Sequence, residues 1–526
     1  MGMYINKGNA GFREALNGEY VDKSGLISVV NATLGTVYKF SCISRARRFG
    51  KSMAAKMLVA YYDRSCDSRE LFQDLEIARD ASFEKHLNKY PVIYLDMTRF
   101  ISLYRNDPTI INHIKEELTA DIAEAYMHSV LYNGEDLMRY LQRIAASTGE
   151  RFIFIIDEWD AICRELDPKT KVMDEYVDWL RNMFKGQEAT DVFAGVYMTG
   201  ILPIKKYDTQ SALNNFREYS MVEPRKMGCY FGFTKDEVKA LAAKHDVDYD
   251  ELAKWYDGYQ IGDEMSMFNP NSVMQAVDIG RCRSFWAATG SFDAITSYIA
   301  MNFDGLKDAI ISMLGGGREK VNPTKFQNDM AIIRSKDDVL TLLIHLGYLS
   351  FDWKRSECYV PNKEVEGELL NAVEENKWNE VVKAVEKSEA LLQATLRGDD
   401  DYVARALDAA HTEHTSILSY NDENSLACVI SLAYYYARND YHVHREYPTG
   451  SGYADLVLIP RKNVTSPALV IELKYNREAQ AAISQIKGKN YPQAVGDYTG
   501  NILLVGINYD KDTKQHECRI ECYAKS

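Results

Sequence analysis

The residues that first suggest chemistry are Gly50, Lys51 and Ser52. A mostly apolar run at 36–40 precedes them and predicts a strand, and residues 53–62 predict a helix. A strand, a loop and a helix with Gly-Lys-Ser at its start form the setting of a phosphate-binding loop. Backbone N–H groups and the helix dipole would hold the phosphates. Lys51 would reach the β- and γ-phosphates, and the Ser52 hydroxyl would bind Mg²⁺. The residues expected at the nucleotide are Arg48, Phe49, Gly50, Lys51, Ser52 and Met53.

This loop departs from the full pattern G-x-x-x-x-G-K-[ST], because Arg45 stands at the first glycine position. Taken alone, it leaves an ordinary exposed turn equally open. A second motif favours function: an apolar run at 152–156 ends in Asp157 and Glu158. Asp157 would hold Mg²⁺, largely through water, and Glu158 would polarise the attacking water. The alternative is a buried strand capped by an acidic turn.

A further candidate, Thr199, lies near the end of an apolar run at 192–200. A hydroxyl at such a strand end senses the γ-phosphate in ATPases of this build, but a plain strand-end threonine is an equally good interpretation. Strands and helices alternate along this part of the chain. The alternation predicts a parallel sheet with ligands at the carboxyl ends of its strands.

A second set of polar residues lies far downstream, at Asp455, Glu472 and Lys474. Glu472 and Lys474 are two apart in a predicted strand, so their side chains share one face. A glutamate and a lysine in an otherwise apolar strand are costly unless they serve each other or a metal. Asp455 begins the neighbouring strand. Two carboxylates and a lysine predict a Mg²⁺ site, with Mn²⁺ as an alternative ion, at which the lysine activates a water against a phosphodiester.

The first half of the chain resembles a known family. The strings RARRFGKS, IIDEWD, TGILPIKK, LNNF, FGFTKDEV and KWYDGYQIG are similar to those of the AAA-ATPase-like family, found mainly in bacteria, over roughly residues 5–290. The resemblance implies ATP as the nucleotide, and Arg45 belongs to that family's pattern. By resemblance to related switch ATPases, Pro270 would lie near the adenine, although a helix-start proline is at least as good an interpretation.

The downstream set resembles the PD-(D/E)XK nuclease superfamily, with Ala454 in place of the usual proline before Asp455. The resemblance covers roughly residues 416–510 and implies a metal-dependent nuclease. It assigns metal binding to Asp455 and Glu472, and catalysis to these two residues with Lys474. Glu423 matches the helix glutamate that often adds to the metal site.

Gln485 and Tyr491, in a predicted helix at 484–495, resemble the Gln and Tyr that some of these nucleases carry. A live nuclease and a structural remnant both stay open, because Glu446 or Glu423 would change the metal geometry.

Composition sets outer limits on function. The 526 residues carry a net charge of −14, which argues against a broadly basic nucleic-acid coat but not against a local DNA site. No long apolar run predicts a membrane span, and we expect a cytoplasmic protein without a membrane partner that acts as a monomer or a homo-oligomer. The predicted class is α/β: a P-loop NTPase parallel sheet with a helical lid, a helical connector and a restriction-endonuclease-like α/β domain. The predicted domains are 1–227 (AAA-ATPase-like), 228–362 (lid), 363–415 (connector) and 416–526 (nuclease-like).

The sequence thus favours a P-loop ATPase coupled to a Mg²⁺-dependent nuclease that acts on DNA or RNA, with DNA as the expected partner. The rival hypothesis is a nucleotide-controlled interaction switch whose nuclease-like domain only binds a partner. A nucleic-acid remodeller is a third, weaker option, because it would want a strongly basic surface.

Overall fold

The structure is a computed structural model. It describes residues 2–523 apart from positions 106, 167–169, 205, 208–209, 212, 262–264, 287–295, 297, 302, 304, 327–332, 377–378, 415–422, 450–451, 462–463, 492–494 and 496–500. The chain forms two compact units: the first comprises Met1–Phe285 and Val321–Ser356, and the second Trp286–Lys320 and Glu357–Ser526.

The strands and helices have the following bounds. The strands are β1 Phe40–Ser44, β2 Val92–Asp96, β3 Phe152–Asp157, β4 Phe193–Gly200, β5 Lys206–Tyr207, β6 Gln210–Ser211, β7 Arg217–Tyr219, β8 Phe233–Thr234, β9 Tyr259–Ile261, β10 Met265–Phe268, β11 Glu319–Lys320, β12 Ser350–Asp352, β13 Glu357–Tyr359, β14 Tyr441–Pro448, β15 Tyr453–Pro460, β16 Ala468–Tyr475, β17 Ile502–Asp510 and β18 Gln515–Tyr523. The helices are Ala10–Leu16, Gly25–Asn31, Lys51–Tyr62, Arg69–Phe72, Phe83–His86, Met97–Tyr104, Ile110–Tyr126, Leu137–Thr148, Ala161–Glu165, Val172–Phe184, Gln187–Val192, Lys235–His245, Tyr249–Tyr256, Pro270–Ile279, Leu306–Leu314, Lys336–Leu346, Lys363–Glu375, Asn379–Leu396, Asp400–His414, Glu423–Ala433 and Ala479–Gly488.

The first unit is built on a five-stranded sheet in the order β2-β3-β4-β1-β7. Each neighbouring pair in this sheet is parallel, which confirms the predicted arrangement. Strands β3 and β4 are largely apolar runs because both faces of such a sheet are buried. Strand β4 lies between β1 and β3, so the carboxyl ends of these three strands meet at one edge.

The predicted strand at 36–40 is wrong in position. Strand β1 begins only at Phe40, and the Val37 side chain is 82% exposed. The following helix begins at Lys51, directly after Gly50, whose φ of 90° lies in the left-handed region that glycine tolerates. The Gly-Lys-Ser motif therefore does sit between a strand and a helix.

The predicted lid contains a sheet as well as helices. Strands β8, β10 and β9 form a three-stranded antiparallel sheet, and its residues pack with three helices around Phe268 and Tyr256. Thr234 and Glu237 form a capping box at the start of the helix Lys235–His245, and the Asn269 side chain caps the helix Pro270–Ile279.

The second unit holds a five-stranded mixed sheet in the order β14-β15-β16-β17-β18. Strands β16 and β17 are parallel, and the other neighbours are antiparallel. Both faces of β16 are buried, with Ile471 and Leu473 in one apolar cluster and Val470 in another. The predicted alternation is therefore confirmed for Ile471 and Leu473.

One helix prediction in this unit is wrong at its end. The helix predicted at 484–495 ends at Gly488, because glycine and the left-handed Asn490 (φ 55°) stop it, and Tyr491 follows its end. Residues 492–494 lie outside the described residues. The helix that begins at Glu423 ends at Ala433. Across the described part of the chain, no helix is long and apolar enough to cross a membrane.

Candidate functional sites

A cavity of about 380 Å³ lies at the start of the helix Lys51–Tyr62. The six loop residues predicted to contact the nucleotide, Arg48 to Met53, all line it, and Glu158 lines it as well. The cavity is thus lined by residues of both predicted motifs. Asp157 and Thr199, which were also predicted to contact the nucleotide or its metal, do not line it.

The Lys51 side chain is buried, and its ammonium group is hydrogen-bonded to the loop itself. Its Nζ donates to the backbone carbonyls of Arg45 and Ala46, each at 3.1 Å, and lies 3.5 Å from Glu158 Oε1. To bind a nucleotide, the ammonium group must exchange these acceptors for phosphate oxygens. Ser52 and Met53, one helical step further, are exposed to the cavity.

Arg48 and Phe49 tie the loop to the lid. Arg48 has a left-handed backbone (φ 68°), and its guanidinium donates to the Phe285 carbonyl at 2.8 Å. The buried Phe49 ring meets the Tyr259 ring edge to face, with centroids 4.9 Å apart. The two side chains therefore hold the loop against two different lid segments.

Arg45, at the position of the missing glycine, is fully buried. Its Nη1 donates to the Ser220 carbonyl, while Nε and Nη2 find no hydrogen-bond partner within the part of the chain that the structure describes. Burial lowers the pKa of Arg45 to about 10. Its guanidinium also lies 6.0 Å from the centre of the Phe231 ring. The side chain fastens the loop to the segment after β7 and does not line the cavity.

Asp157 and Thr199 meet behind the cavity. The Thr199 hydroxyl donates to Asp157 Oδ1 at 2.5 Å, and the Tyr94 hydroxyl lies 3.4 Å from Oδ2. The backbone N–H of Glu158 in turn lies 3.4 Å from the Thr199 hydroxyl. Both side chains are almost fully buried. Thr199 is thus in contact with the carboxylate predicted to bind Mg²⁺, whereas its predicted role as a γ-phosphate sensor stays a prediction.

Glu158 is held by two cations. Its Oε2 accepts from Arg164 Nη2 at 2.6 Å, while Lys51 approaches Oε1. Burial raises the pKa of Glu158, and the charges of Lys51 and Arg164 oppose that rise. The sequence reasoning missed Arg164. Its signal was available in the four-residue spacing from Asp160, which places the two side chains on one helical face.

The other end of the cavity is largely apolar. Its walls come from Tyr20, Val21, Tyr230, Phe233, Pro270 and Met274. A flat base fits such walls, with the phosphates directed toward Lys51. Of these residues only Pro270 was predicted to lie near the base. Phe233 belongs to the string FGFTKDEV, but nothing in that string marks it as a cavity wall.

The second site forms between β15 and β16. Their antiparallel register pairs Leu456 with Ile471, and its continuation sets Asp455 beside Glu472. Asp455 Oδ2 accepts from the Leu473 backbone N–H at 2.7 Å. Lys474 Nζ lies 2.9 Å from Glu472 Oε1. The three predicted catalytic residues therefore converge.

The burial and hydrogen bonding of Glu472 are those expected of a metal ligand. It is 2% exposed, and its Oε2 has no hydrogen-bond partner among the residues that the structure describes. Burial, followed by the charge of Asp455, raises its pKa to about 7. A buried oxygen without a donor, beside a second carboxylate, fits a divalent cation.

The predicted third carboxylate cannot be added from the structure. Among the described residues, no group of three or more His, Cys, Asp or Glu side chains has metal-binding geometry. Glu423 opens the helix Glu423–Ala433, but its side chain lies outside the described part of the chain. Its role stays a prediction.

Gln485 and Tyr491 lie beside the same carboxylate. Gln485 Nε2 donates to Glu472 Oε1 and lies 3.3 Å from the Tyr491 hydroxyl. That hydroxyl donates to the Tyr453 carbonyl at 2.9 Å. Together they fix the orientation of Glu472 from the side of the helix Ala479–Gly488.

Comparisons with known proteins agree with this two-site arrangement. A family model described as predicted AAA-ATPase matches residues 11–210, and a model of the PD-(D/E)XK nuclease superfamily matches residues 421–518. An uncharacterized protein in the vnfD 5′ region of Azotobacter chroococcum is 26% identical over 288 residues, which are 54% of this chain and 52% of that protein. The chain thus matches about half the length of this curated relative.

Two solved structures match more loosely. Cdc6p from Pyrobaculum aerophilum is 13% identical, covers 67% of this chain and 93% of its own, and has a TM-score of 0.25. The ORC2 protein of Aeropyrum pernix, in ADPNP–ADP complexes, is 10% identical, covers 69% and 98%, and has a TM-score of 0.31. Scores this low support no argument about this chain. On the family matches, the chain carries an AAA-ATPase-like domain at residues 11–210 and a PD-(D/E)XK nuclease superfamily domain at residues 421–518.

Proposed function

We propose that this protein binds and hydrolyses ATP and that the nucleotide controls a Mg²⁺-dependent nuclease in the same chain, with DNA as the expected substrate. The observation that carries the proposal is Glu472, a buried carboxylate between Asp455 and Lys474, one oxygen of which has no hydrogen-bond partner in the described part of the chain. A site that serves only packing would not keep such a group.

In the ATPase half, Lys51 would leave its two loop carbonyls for the β- and γ-phosphates. Ser52 and Asp157 would hold Mg²⁺, which neutralises phosphate charge when bound. Glu158 would orient the attacking water at the cavity wall. The apolar walls around Pro270 would take the base.

In the nuclease half, Asp455 and Glu472 would hold a divalent cation, which stabilises the charge that develops on a phosphodiester. Lys474 would place and activate a water. Its ammonium group also donates to the Leu473 carbonyl at 2.9 Å, which fixes it on the Glu472 face of β16. Gln485 keeps the Glu472 carboxylate oriented.

The experiment is a cleavage assay with the purified full chain, using single- and double-stranded DNA and RNA with Mg²⁺ or Mn²⁺. We expect phosphodiester cleavage that is lost in Lys474→Ala, while ATP binding is retained. The control is Lys487→Ala, which removes a lysine that pairs with Glu521 on the same domain. Absence of cleavage on every substrate would refute the nuclease half.

The second candidate is a nucleotide-controlled interaction switch. The net charge of −14 favours the switch, because a broad nucleic-acid-binding surface would be basic. Calorimetric titration of Mn²⁺ into the wild type and Glu472→Gln separates the two. Equal metal affinity in both proteins would favour the switch, and weaker binding by the variant would favour the nuclease.

A further inference from the structure

Two cations contact the Glu158 carboxylate, Arg164 closely and Lys51 at a longer distance. Arg164 Nη2 lies 2.6 Å from Oε2, whereas Lys51 Nζ lies 3.5 Å from Oε1. Lys51 must turn to the phosphates when a nucleotide binds. Arg164 does not line the cavity, so a nucleotide there would not compete for it.

Two further carboxylates, those of Asp160 and Glu165, contact the Arg164 guanidinium. Its Nε donates to Asp160 Oδ2 at 3.0 Å, and its Nη1 lies 3.8 Å from Glu165 Oε1. The guanidinium therefore lies among three carboxylates, and its side chain is only 8% exposed. A cation held in this way has little freedom to follow a moving partner.

Asp160, in turn, is fixed to the end of β4. It is fully buried and accepts from the backbone N–H groups of Ile201, at 3.1 and 3.2 Å, and Leu202, at 2.8 Å. A Cβ at Gly200 would meet Asp160 Oδ1 at 2.5 Å, so the carboxylate packs directly on the backbone there. Arg164 is thereby anchored to the strand that also carries Thr199.

Glu158 needs such an anchor because its own backbone is strained. Its φ of 52° lies in the left-handed region, which is unfavourable for a residue with a side chain. The loop that carries it is therefore held in place by its surroundings. The Arg164 contact is the shortest polar contact of this side chain.

We propose that Arg164 is a positioning residue for ATP hydrolysis: it holds Glu158 Oε2 throughout and leaves Oε1 to orient the attacking water once Lys51 has turned to the phosphates. The inference rests on the proposed ATPase function. In that reaction the water oxygen forms a bond to the γ-phosphorus, and the bond from that phosphorus to the β–γ bridging oxygen breaks. Its electron pair leaves with ADP, and the water proton passes toward Oε1 and on to solvent.

The test separates turnover from binding in Arg164→Gln. We expect kcat for ATP hydrolysis to fall about 10- to 100-fold, as for a misplaced catalytic group. The Kd for a non-hydrolysable ATP analogue, measured by calorimetry, should stay within about twofold, because Arg164 lies outside the cavity. The conservative variant Arg164→Lys should recover part of kcat. A matched control is Arg143→Gln, which breaks an ion pair with Glu135 away from the cavity and should change neither quantity.

Four outcomes would overturn the inference. An unchanged kcat in Arg164→Gln, or a Kd that rises as much as kcat falls, would overturn the inference while leaving the ATPase proposal in place. If Arg164→Gln does not fold, as a melting curve would reveal, a wild-type kcat in Arg164→Lys would overturn it equally, because one ammonium cannot hold Asp160 and Glu158 as the guanidinium fork does. A wild-type chain that binds but does not hydrolyse ATP would refute the proposed ATPase and this inference with it.

Discussion

At the level of single residues, Lys51 and Glu472 share one property: each is a buried ionisable group at a proposed ligand site. The Lys51 ammonium donates to two loop carbonyls, and one oxygen of Glu472 has no hydrogen-bond partner among the described residues. Buried charges of this kind are costly unless a partner completes them. Both sites should therefore respond strongly to their ligands and to the loss of one side chain.

The first prediction concerns Lys51→Ala. The change removes charge-assisted hydrogen bonds to the phosphates, each contributing about 1.5–3 kcal/mol, so ATP affinity should fall about 100-fold. Calorimetry with ATP and Mg²⁺ measures this directly. The variant Lys56→Ala, a lysine on the same helix that does not line the cavity, should bind as the wild type does. Equal ATP affinity in Lys51→Ala and the wild type would contradict the assignment of the loop.

The second prediction is a pH dependence of metal binding at Glu472. Its pKa is raised from 4.5 to about 7, so the folded protein holds this proton more tightly than the unfolded chain does. That contribution to stability is fully present below about pH 4.5 and is lost as the pH rises through about 7. A divalent cation, which binds the ionised form, should compensate for this loss above pH 7 and compete with the proton below it.

The measurement is the shift of the melting temperature on adding Mn²⁺ at pH 6 and at pH 8. We expect the larger stabilisation at pH 8. In Glu472→Gln the difference between the two pH values should disappear. A larger shift at pH 6 in the wild type would contradict the account of this carboxylate.

At the level of secondary structure, the strands and the polar residues at their ends were predictable from the sequence. The contacts that position those polar side chains were not. The runs ending in Asp157 and Thr199 are apolar because they lie in a parallel sheet, and Glu472 and Lys474 alternate with core residues on β16. The spacing of apolar residues along each strand is enough to predict these features from the local sequence. The start of β1 was misplaced because residues 36–40 are as apolar as a strand, although tertiary structure leaves Val37 exposed.

Other features depend on contacts between distant segments. The bond from Arg45 to the Ser220 carbonyl, and the apolar cavity walls from Tyr20 and Phe233, join parts of the chain that share no motif. Arg164 had a local signal in its spacing from Asp160, but its contact with Glu158 depends on a left-handed turn that the sequence does not mark. The end of the helix at Gly488 was missed although Gly488 and Asn490 are residue types that commonly end helices.

The third prediction tests how closely the helix Ala479–Gly488 packs on the sheet. Gly506 on β17 pairs with Glu472, and a Cβ at this position would meet the Ala479 carbonyl at 2.4 Å and Ala482 Cβ at 3.1 Å. Gly506→Val should therefore push the helix outward, costing about 1–3 kcal/mol of unfolding free energy in a denaturant titration. Because Gln485 moves with the helix, cleavage should fall as well. The control Gly488→Ala, where an added Cβ meets nothing within 4 Å, should change stability little.

At the level of the whole molecule, the protein carries two sites of different chemistry in two compact units. One is a nucleotide cavity in the AAA-ATPase-like part, and the other is a pair of carboxylates with a lysine in the nuclease-like part. Coupling between them is a matter of free energy: ATP must favour the state of the chain in which the nuclease site is active. This dependence is the central claim of the proposed function.

The most direct test is the cleavage rate of the full chain under single-turnover conditions, with and without ATP, in the wild type and in Lys51→Ala. We predict that ATP changes the wild-type rate at least severalfold and leaves the rate of Lys51→Ala unchanged. A wild-type rate that is the same with and without ATP would contradict the account.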